Sequence, residues 1–447
     1  MHSADQRLKA HIATFGCQMN EYDSARMARM LGQMGYIAEA DPQKADLVIF
    51  NTCSVRDKAE QKLYSALGPL VKIKRQRDLI IGVTGCVAQQ EGRRLLRRVA
   101  HLDFVLGTAQ IDKLPELVHD AAKGLRRAEL SLKRASEPAP IVLPPQVGLS
   151  ANVTVMRGCD NFCSYCVVPY VRGREQSRPA DQVLEEIAAL VAAGAREVVL
   201  LGQNVDSYRD PGRGIGFAEL LRLAAGVEGL WRVRFLTSHP KDLSPELIET
   251  LAAEPKVMEQ MHLPIQSGDD SVLAAMNRGY TTGQYLAKVE ALRRAAPEVT
   301  LGGDIIVGFP GESADAFART LELVERVGYD TLFCFIYSDR PFTKASRMTG
   351  KIDQDVKASR VNQLLELHRR LGRERNRARV GTIREVLVEG PAKKGQGMLA
   401  GRDRGGLAVN FAGEAALVGT IQRVLVTQGL TNSLIGRLAG QPEGGNR

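Results

Sequence analysis

The chain has 447 residues, 44% of them hydrophobic, enough for roughly three domains of ~150 residues with cores of their own. Residues 1–9 are polar and charged, and no apolar run approaches the ~18 residues that span a bilayer. The sequence therefore argues against a secretory leader or membrane anchor and sets the expectation of a cytoplasmic protein. A formal net charge of +9 favours a polyanionic partner such as nucleic acid, although it suits an ordinary solvated surface too.

In chain order, three apolar runs come first, each ending at a cysteine. Cys17 follows residues 11–16, Cys53 follows 46–52 and Cys86 follows 79–85. Helical patterns follow at 24–34 and 55–67, so the segment reads as βα repetition with a parallel sheet. Carboxyl ends of such strands share one sheet edge, where ligands bind. Thiols 36 and 33 residues apart can meet there, although three unrelated core cysteines would show the same spacing. Gly16 and Gly85 suit the tight turn from strand to helix and close approach to a cofactor.

Residues 121–150 change character. Lys123, Arg126, Arg127, Lys133 and Arg134 precede Pro138, Pro140, Pro144 and Pro145 without an apolar period, the signature of a linker. A strand is then expected over 152–156, before the run Arg157-Gly158-Cys159-Asp160-Asn161-Phe162-Cys163-Ser164-Tyr165-Cys166.

This loop holds three thiols and no fourth. Structural zinc closes with four ligands, and no histidine lies within ten residues of Cys163. Ferredoxins carry denser cysteines, and disulfide frameworks belong to small secreted chains. Three thiolates on a 4Fe-4S cube leave one iron open for a small chelating molecule, which makes the site chemical and not only electron-storing.

Further strands are expected over 197–201, 232–236, 261–265, 304–307 and 332–337, with helices such as 180–193 between them, giving a partial (β/α) barrel. Gly202, Gln203 and Asn204, then Gln266 and the run Gly308-Phe309-Pro310-Gly311-Glu312, follow strands and would rim its cavity. Cys334 reads as a core residue of a buried strand. A helix over 357–379 carries Val361, Leu364, Leu365 and Leu371 on one face, and eight Lys/Arg against two Glu point to phosphate contact. Beyond Val380, short alternating segments at 384–389, 397–401, 407–411 and 417–427 read as a small β-barrel. Its loops hold Lys393, Lys394, Arg402 and Arg404, a basic set suited to RNA.

The cysteine loop resembles the radical SAM superfamily, in which S-adenosylmethionine chelates the open iron and an electron passed into the sulfonium releases a deoxyadenosyl radical. Tyr165 matches the aromatic residue that precedes the third cysteine there and lies beside the adenine. The whole chain, from about Lys9 to Arg437, resembles the methylthiotransferases and most closely the MiaB family. Carriers of the resemblance are Phe15-Gly16-Cys17-Gln18-Met19-Asn20, Asn51-Thr52-Cys53-Ser54-Val55-Arg56, Gly85-Cys86-Val87-Ala88-Gln89, Tyr170-Val171-Arg172-Gly173-Arg174, Leu200-Leu201-Gly202-Gln203-Asn204-Val205 and His262-Leu263-Pro264-Ile265-Gln266-Ser267-Gly268.

That resemblance implies a flavodoxin-like N-terminal domain over 8–123, a radical SAM core over 145–377 and a TRAM barrel over 380–442. It implies two 4Fe-4S clusters, one on Cys159, Cys163 and Cys166 and an auxiliary one on Cys17, Cys53 and Cys86. The reaction it implies adds a methylthio group to carbon 2 of isopentenyl-adenosine beside the anticodon, at position 37 of tRNA. S-adenosylmethionine, an electron donor and a sulfur source would be further partners. Arg172 and Arg174 follow the cluster loop closely enough to touch S-adenosylmethionine or RNA phosphate, a structural salt bridge being the alternative.

One departure stands out: where relatives read Tyr-Ser-x-Arg-Pro-Gly-Thr, this chain has Tyr337-Ser338-Asp339-Arg340-Pro341-Phe342-Thr343. Phenylalanine does not freely take glycine's positive φ, so a differently shaped loop is expected. Competing functions are methylthiolation of threonylcarbamoyl-adenosine in tRNA or of an aspartate in a ribosomal protein, and a non-catalytic iron-sulfur scaffold for RNA. An acidic C-terminal barrel would mark the ribosomal-protein enzyme, whereas eight Lys/Arg against five Asp/Glu lie beyond residue 380.

Overall fold

The computed structural model describes residues 7–54, 57–133, 147–395 and 397–440. Val55, Arg56 and the proline-rich stretch 134–146 expected as linker lie outside the described residues. The chain divides into two compact units, one of residues 1–162, 166–194 and 201–203, the other of residues 163–165, 195–200 and 204–447.

In the first unit, β1 (Lys9–Phe15), β2 (Ile37–Ala38), β3 (Leu47–Thr52), β4 (Ile80–Gly85), β5 (Phe104–Leu106) and β6 (Arg127–Glu129) form one sheet in the order β2-β1-β3-β4-β5-β6. All its pairs are parallel, the doubly wound order of flavodoxin-like folds. β3 is buried along its whole length, as expected of a strand covered on both faces. Val48, Phe50, Ile81 and Val83 pack on one side and Leu47, Ile49, Phe104 and Leu106 on the other.

Part of the expected linker is not linker. Arg127–Glu129 adds to the sheet edge beside Phe104–Leu106, because a three-residue edge strand is specified by a free backbone edge and needs no apolar period.

In the second unit, residues 197–200 pair in parallel with Arg232–Phe235, and Gln260–His262, Thr300–Val307 and Thr331–Ile336 form a parallel sheet, as a partial barrel requires. The last strand departs from expectation. Phe333 and Phe335 are exposed while Leu332 is buried, and Cys334 is half-buried. A continuous apolar run does not reveal which face of a strand a layer will cover.

Gln354–Ala378 forms one helix, and its arginines are largely neutralised. Arg360 pairs with Glu312, Arg375 and Arg379 with Asp330, Arg370 with Glu325, and Arg369 with Glu366. Glu312, Glu325 and Asp330 reach this stripe from elements distant in sequence, whereas Glu366 lies on the helix itself.

The C-terminal strands Ile383–Pro391, Met398–Arg402, Ala408–Ala412, Ile421–Gly429 and Ser433–Leu438 close into a barrel. Sequence patterning missed Ser433–Leu438, which pairs in parallel with Ala408–Ala412. Residues 415–417 are instead a 3-10 turn. Of the basic loop residues, Arg402 pairs with Glu389 and Arg404 with Glu259, leaving Lys393 and Lys394 exposed.

Phe342 does take the left-handed conformation, at φ +70°. The expected reshaping of this loop is not seen in its backbone. Thr343 Oγ1 donates to Arg340 O at 2.8 Å and Ser346 Oγ to Thr343 O at 2.7 Å, and these bonds hold the turn against a local cost of about 1–3 kcal/mol.

Candidate active site

Sheet register brings the first three cysteines to one edge. Phe15 is level with Thr52, and Thr52 with Gly85, so Cys17, Cys53 and Cys86 all begin the turns leaving neighbouring strands. Cys53 N–H donates back to Phe15 O at 3.0 Å. Gly85 has φ +90°, and a Cβ there would lie 2.3 Å from Thr52 O, so only glycine lets strand and helix approach this closely. Cys17 caps the helix Gln18–Gln33, with Asn20 Oδ1 accepting from its Sγ at 3.3 Å. Asn20 Nδ2 in turn donates to Asn51 Oδ1 at 2.7 Å.

These thiols interact. Hydrogen bonding with Cys53 pulls the Cys17 thiol down to about 6 against the effect of burial, helped by the charge of Arg172 and by backbone N–H groups of Asn20 and Met19. A lowered thiol is a thiolate at neutral pH, the form that binds metal.

Arg172 is buried, with Cys86, Asp23 and Cys17 acting on its charge. Its Nη1 lies 3.3 Å from Asp23 Oδ2, so the salt-bridge alternative describes it. Burial works against its charge, but Cys86, Asp23 and Cys17 together hold its pKa above the ordinary value. Arg174 is exposed, donates to both carboxylate oxygens of Asp160 at 2.7 and 3.2 Å, and stacks over Phe162 at 5.2 Å.

The CxxxCxxC loop is fixed at its start by Gln203, whose Oε1 accepts from Gly158 N–H at 2.6 Å. Gly158 has φ +76°, and a Cβ there would meet Arg174 O at 2.0 Å. Cys159 N–H donates to Gly173 O at 3.2 Å; Cys159 and Cys166 are half-buried and Cys163 is buried.

Around Cys163 a connected polar chain runs to the strand ends. Arg278 Nη1 donates to Cys163 Sγ and to Tyr165 Oη, both at 3.3 Å, and Nη2 to Pro264 O at 2.7 Å. Arg278 Nε donates to Tyr280 Oη at 2.9 Å, and the Tyr280 ring meets the His239 ring edge-on at 5.7 Å. Burial, with Arg278, Lys241 and Lys288 nearby, pushes His239 down to about 2. Its Nδ1 accepts from Lys241 N–H at 3.2 Å, so this neutral ring carries its proton on Nε2, which is buried without a hydrogen-bond partner.

Beside it, burial raises the Asp206 carboxyl to about 7 despite the donation from Ser238 Oγ at 2.9 Å. Asn204 Nδ2 donates to Asp242 Oδ2 at 2.7 Å. Asn204 Oδ1 and Asp206 Oδ2 are likewise buried without partners. Backbone strain marks the same strand ends: Thr237 has φ +74° and Gln266 φ +78°, conformations rare outside glycine and frequent at functional sites. Gln266 N–H donates to Asp304 O at 2.9 Å. Gly202 is buried at the end of its strand.

Sequence reasoning missed Asp23, Arg278, Asp206 and His239. Ser238-His239-Pro240 directly after a strand was the available signal for the last; the others have none in spacing or composition.

The sheet with its edge thiols, the CxxxCxxC loop, the parallel strands of the second unit and the closed C-terminal barrel define a three-part radical SAM protein. Residues 153–324 match the Radical SAM superfamily, 9–107 the uncharacterized protein family UPF0004 and 377–439 the TRAM domain. The chain belongs to the tRNA-2-methylthio-N(6)-dimethylallyladenosine synthases: it is 52% identical over 435 residues to the protein of that name from Geobacter metallireducens, covering 96% of this chain and 98% of that one. Identity to the Geobacter sulfurreducens protein of the same name is 50% over 434 residues, 96% and 97% of the two chains. Among solved structures, the radical S-adenosylmethionine methyltransferase TsrM from Kitasatospora setae shares the fold at a TM-score of 0.57 and 15% identity, over 76% of this chain and 75% of that one.

Proposed function

We propose that this chain is a tRNA methylthiotransferase that adds a methylthio group to carbon 2 of isopentenyl-adenosine at position 37, beside the anticodon. The reading assigns residues 8–123 to the N-terminal methylthiotransferase domain, 145–377 to the radical SAM core and 380–442 to the TRAM domain, in a cytoplasmic protein. Among the described residues no helix is long and apolar enough to cross a membrane.

Cys159, Cys163 and Cys166 would hold one 4Fe-4S cluster and Cys17, Cys53 and Cys86 a second. When bound, the clusters and S-adenosylmethionine supply the one-electron chemistry that a side-chain base cannot perform on an aromatic C–H bond. The chain's own residues hold and orient. Gln203 fixes the loop through Gly158, Arg278 holds Cys163 and Tyr165 in one hydrogen-bonded set, and Asn204, His239 and Gln266 line the strand ends. The target base lies in a single-stranded loop and enters without the cost of opening a duplex.

The observation that carries the reading is the register that sets Cys17, Cys53 and Cys86 at the ends of three neighbouring parallel strands, with Cys17 drawn down to about 6 by its contact with Cys53. A scaffold that merely binds RNA has no use for three thiols gathered at one sheet edge. An electron donor and a sulfur source are further required partners of this reaction. Mass spectrometry of tRNA nucleosides from cells lacking the protein tests it: the methylthio form should vanish while isopentenyl-adenosine accumulates. Unchanged methylthio nucleoside, or loss of the threonylcarbamoyl derivative instead, would overturn it.

A further inference from the structure

Asp23 is one carboxylate facing two guanidinium groups. Its Oδ1 is 2.9 Å from Arg157 Nη2 and its Oδ2 is 3.3 Å from Arg172 Nη1. Asp23 is 2% exposed and Arg172 8%, so water screens this group little. One acid cannot neutralise two cations, and a buried uncompensated charge costs several kcal/mol.

Arg157 has a further acceptor in Thr108 O at 3.3 Å. Among the described residues Arg172 has no oxygen acceptor beyond Asp23, and its Nη2 is buried without a hydrogen-bond partner. What surrounds it instead is sulfur. Cys86 packs in one buried cluster with Val167 and Val171, the residue just before the arginine. Cys86 and Cys17 both lie close enough to the guanidinium to favour its charged form. The arginine is thus held on one side by Asp23, with two of the three edge thiols close enough to act on its charge.

We propose that Arg172 is a positioning residue for the iron-sulfur group held by Cys17, Cys53 and Cys86, its guanidinium offsetting thiolate charge and raising the reduction potential of that group. The proposal rests on the reading of this triad as cluster ligands. The physical cause is general: potentials of such clusters depend on net charge and on hydrogen bonds to the sulfurs. Taking up one electron makes the group more negative, and a fixed buried cation favours that state. Asp23 acts in the opposite sense by tempering the cation.

The test uses the full chain with Cys159, Cys163 and Cys166 replaced by alanine, reconstituted anaerobically with iron and sulfide. Iron is counted, and the one-electron couple is titrated with dithionite and read by electron paramagnetic resonance. In this background Arg172→Met should move the midpoint to lower potential by at least a tenfold change in the reduced-to-oxidised ratio at fixed poise, about 59 mV for one electron. Arg172→Lys should recover part of the shift, and Asp23→Asn should move the midpoint the other way.

Opposite signs from the two partners cannot come from general loosening of the fold. If Arg172→Met fails to load iron, Arg172→Lys and Asp23→Asn decide by the signs of their own shifts. A midpoint unmoved by either substitution, or moved in the same direction by both, overturns the proposal while the triad stands. A parent that binds no iron overturns the cluster reading itself.

Discussion

Arg278 places one guanidinium nitrogen 3.3 Å from the sulfur of Cys163 and the other 2.7 Å from the carbonyl oxygen of Pro264. The contact joins residues 115 positions apart and ties the middle cysteine of the loop to the strand ends. Arg278→Lys keeps a charge but cannot reach sulfur, phenol and carbonyl together. Losing one charge-assisted bond of about 1.5–3 kcal/mol should slow S-adenosylmethionine cleavage roughly ten- to hundredfold. Deoxyadenosine release measured by chromatography checks this; parent-like rates would show that the contact is only structural.

The two cysteine triads should separate in function. Cys163→Ala is expected to abolish deoxyadenosine formation, whereas Cys53→Ala should retain it and stop sulfur insertion. Each variant should hold about four irons where the parent holds about eight. Iron assay and tRNA nucleoside analysis on the same preparations give the answer, and methylthio product from either variant contradicts the assignment.

Asp206 should make stability depend on pH. Burial raises its carboxyl to about 7, well above the ordinary carboxylate range, so the folded state binds the proton more tightly. The contribution is fully present below about pH 4 and is lost as pH rises toward 7, at up to about 1.4 kcal/mol per unit. Asp206→Asn keeps the shape without the titration. Urea unfolding at pH 5 and pH 7.5 should find the variant gaining on the parent at the higher pH; a constant difference would refute the burial of this carboxyl.

Phe342 offers a test of local strain. Phe342 is 52% exposed at a φ of +70°, a backbone region that glycine enters freely. Phe342→Gly should therefore lie within about 1 kcal/mol of the parent, relief of strain being offset by the entropy of the unfolded glycine. Phe342→Val should lose about 1–3 kcal/mol, because a branched Cβ fits this region worst. Thermal unfolding of both variants measures the difference, and equal losses would deny the strain.

Strand positions and the thiols that follow them were legible because both signals are local. Apolar runs, glycine turns and cysteine spacing can be read along the chain, and they located the sheet edge carrying Cys17, Cys53 and Cys86 as well as the CxxxCxxC loop. Elements specified by pairing were not legible. Arg127–Glu129 has the composition of a linker and Ser433–Leu438 is interrupted by Gly436, yet each completes a ladder whose other half lies elsewhere.

Charge behaved in the same way. The sequence displays arginines along residues 354–378 as a basic stripe, but Glu312, Glu325 and Asp330 reach them only in the folded chain. Arg172, read beside the cluster loop for its nearness in sequence, turns inward to Asp23 and the edge thiols. By itself the sequence determined the elements, the two sets of three cysteines and the family, since these rest on residue type and short spacing. Only the tertiary structure decided which charge faces which, because Coulomb energy depends on distance and burial, and neither is encoded by nearness along the chain.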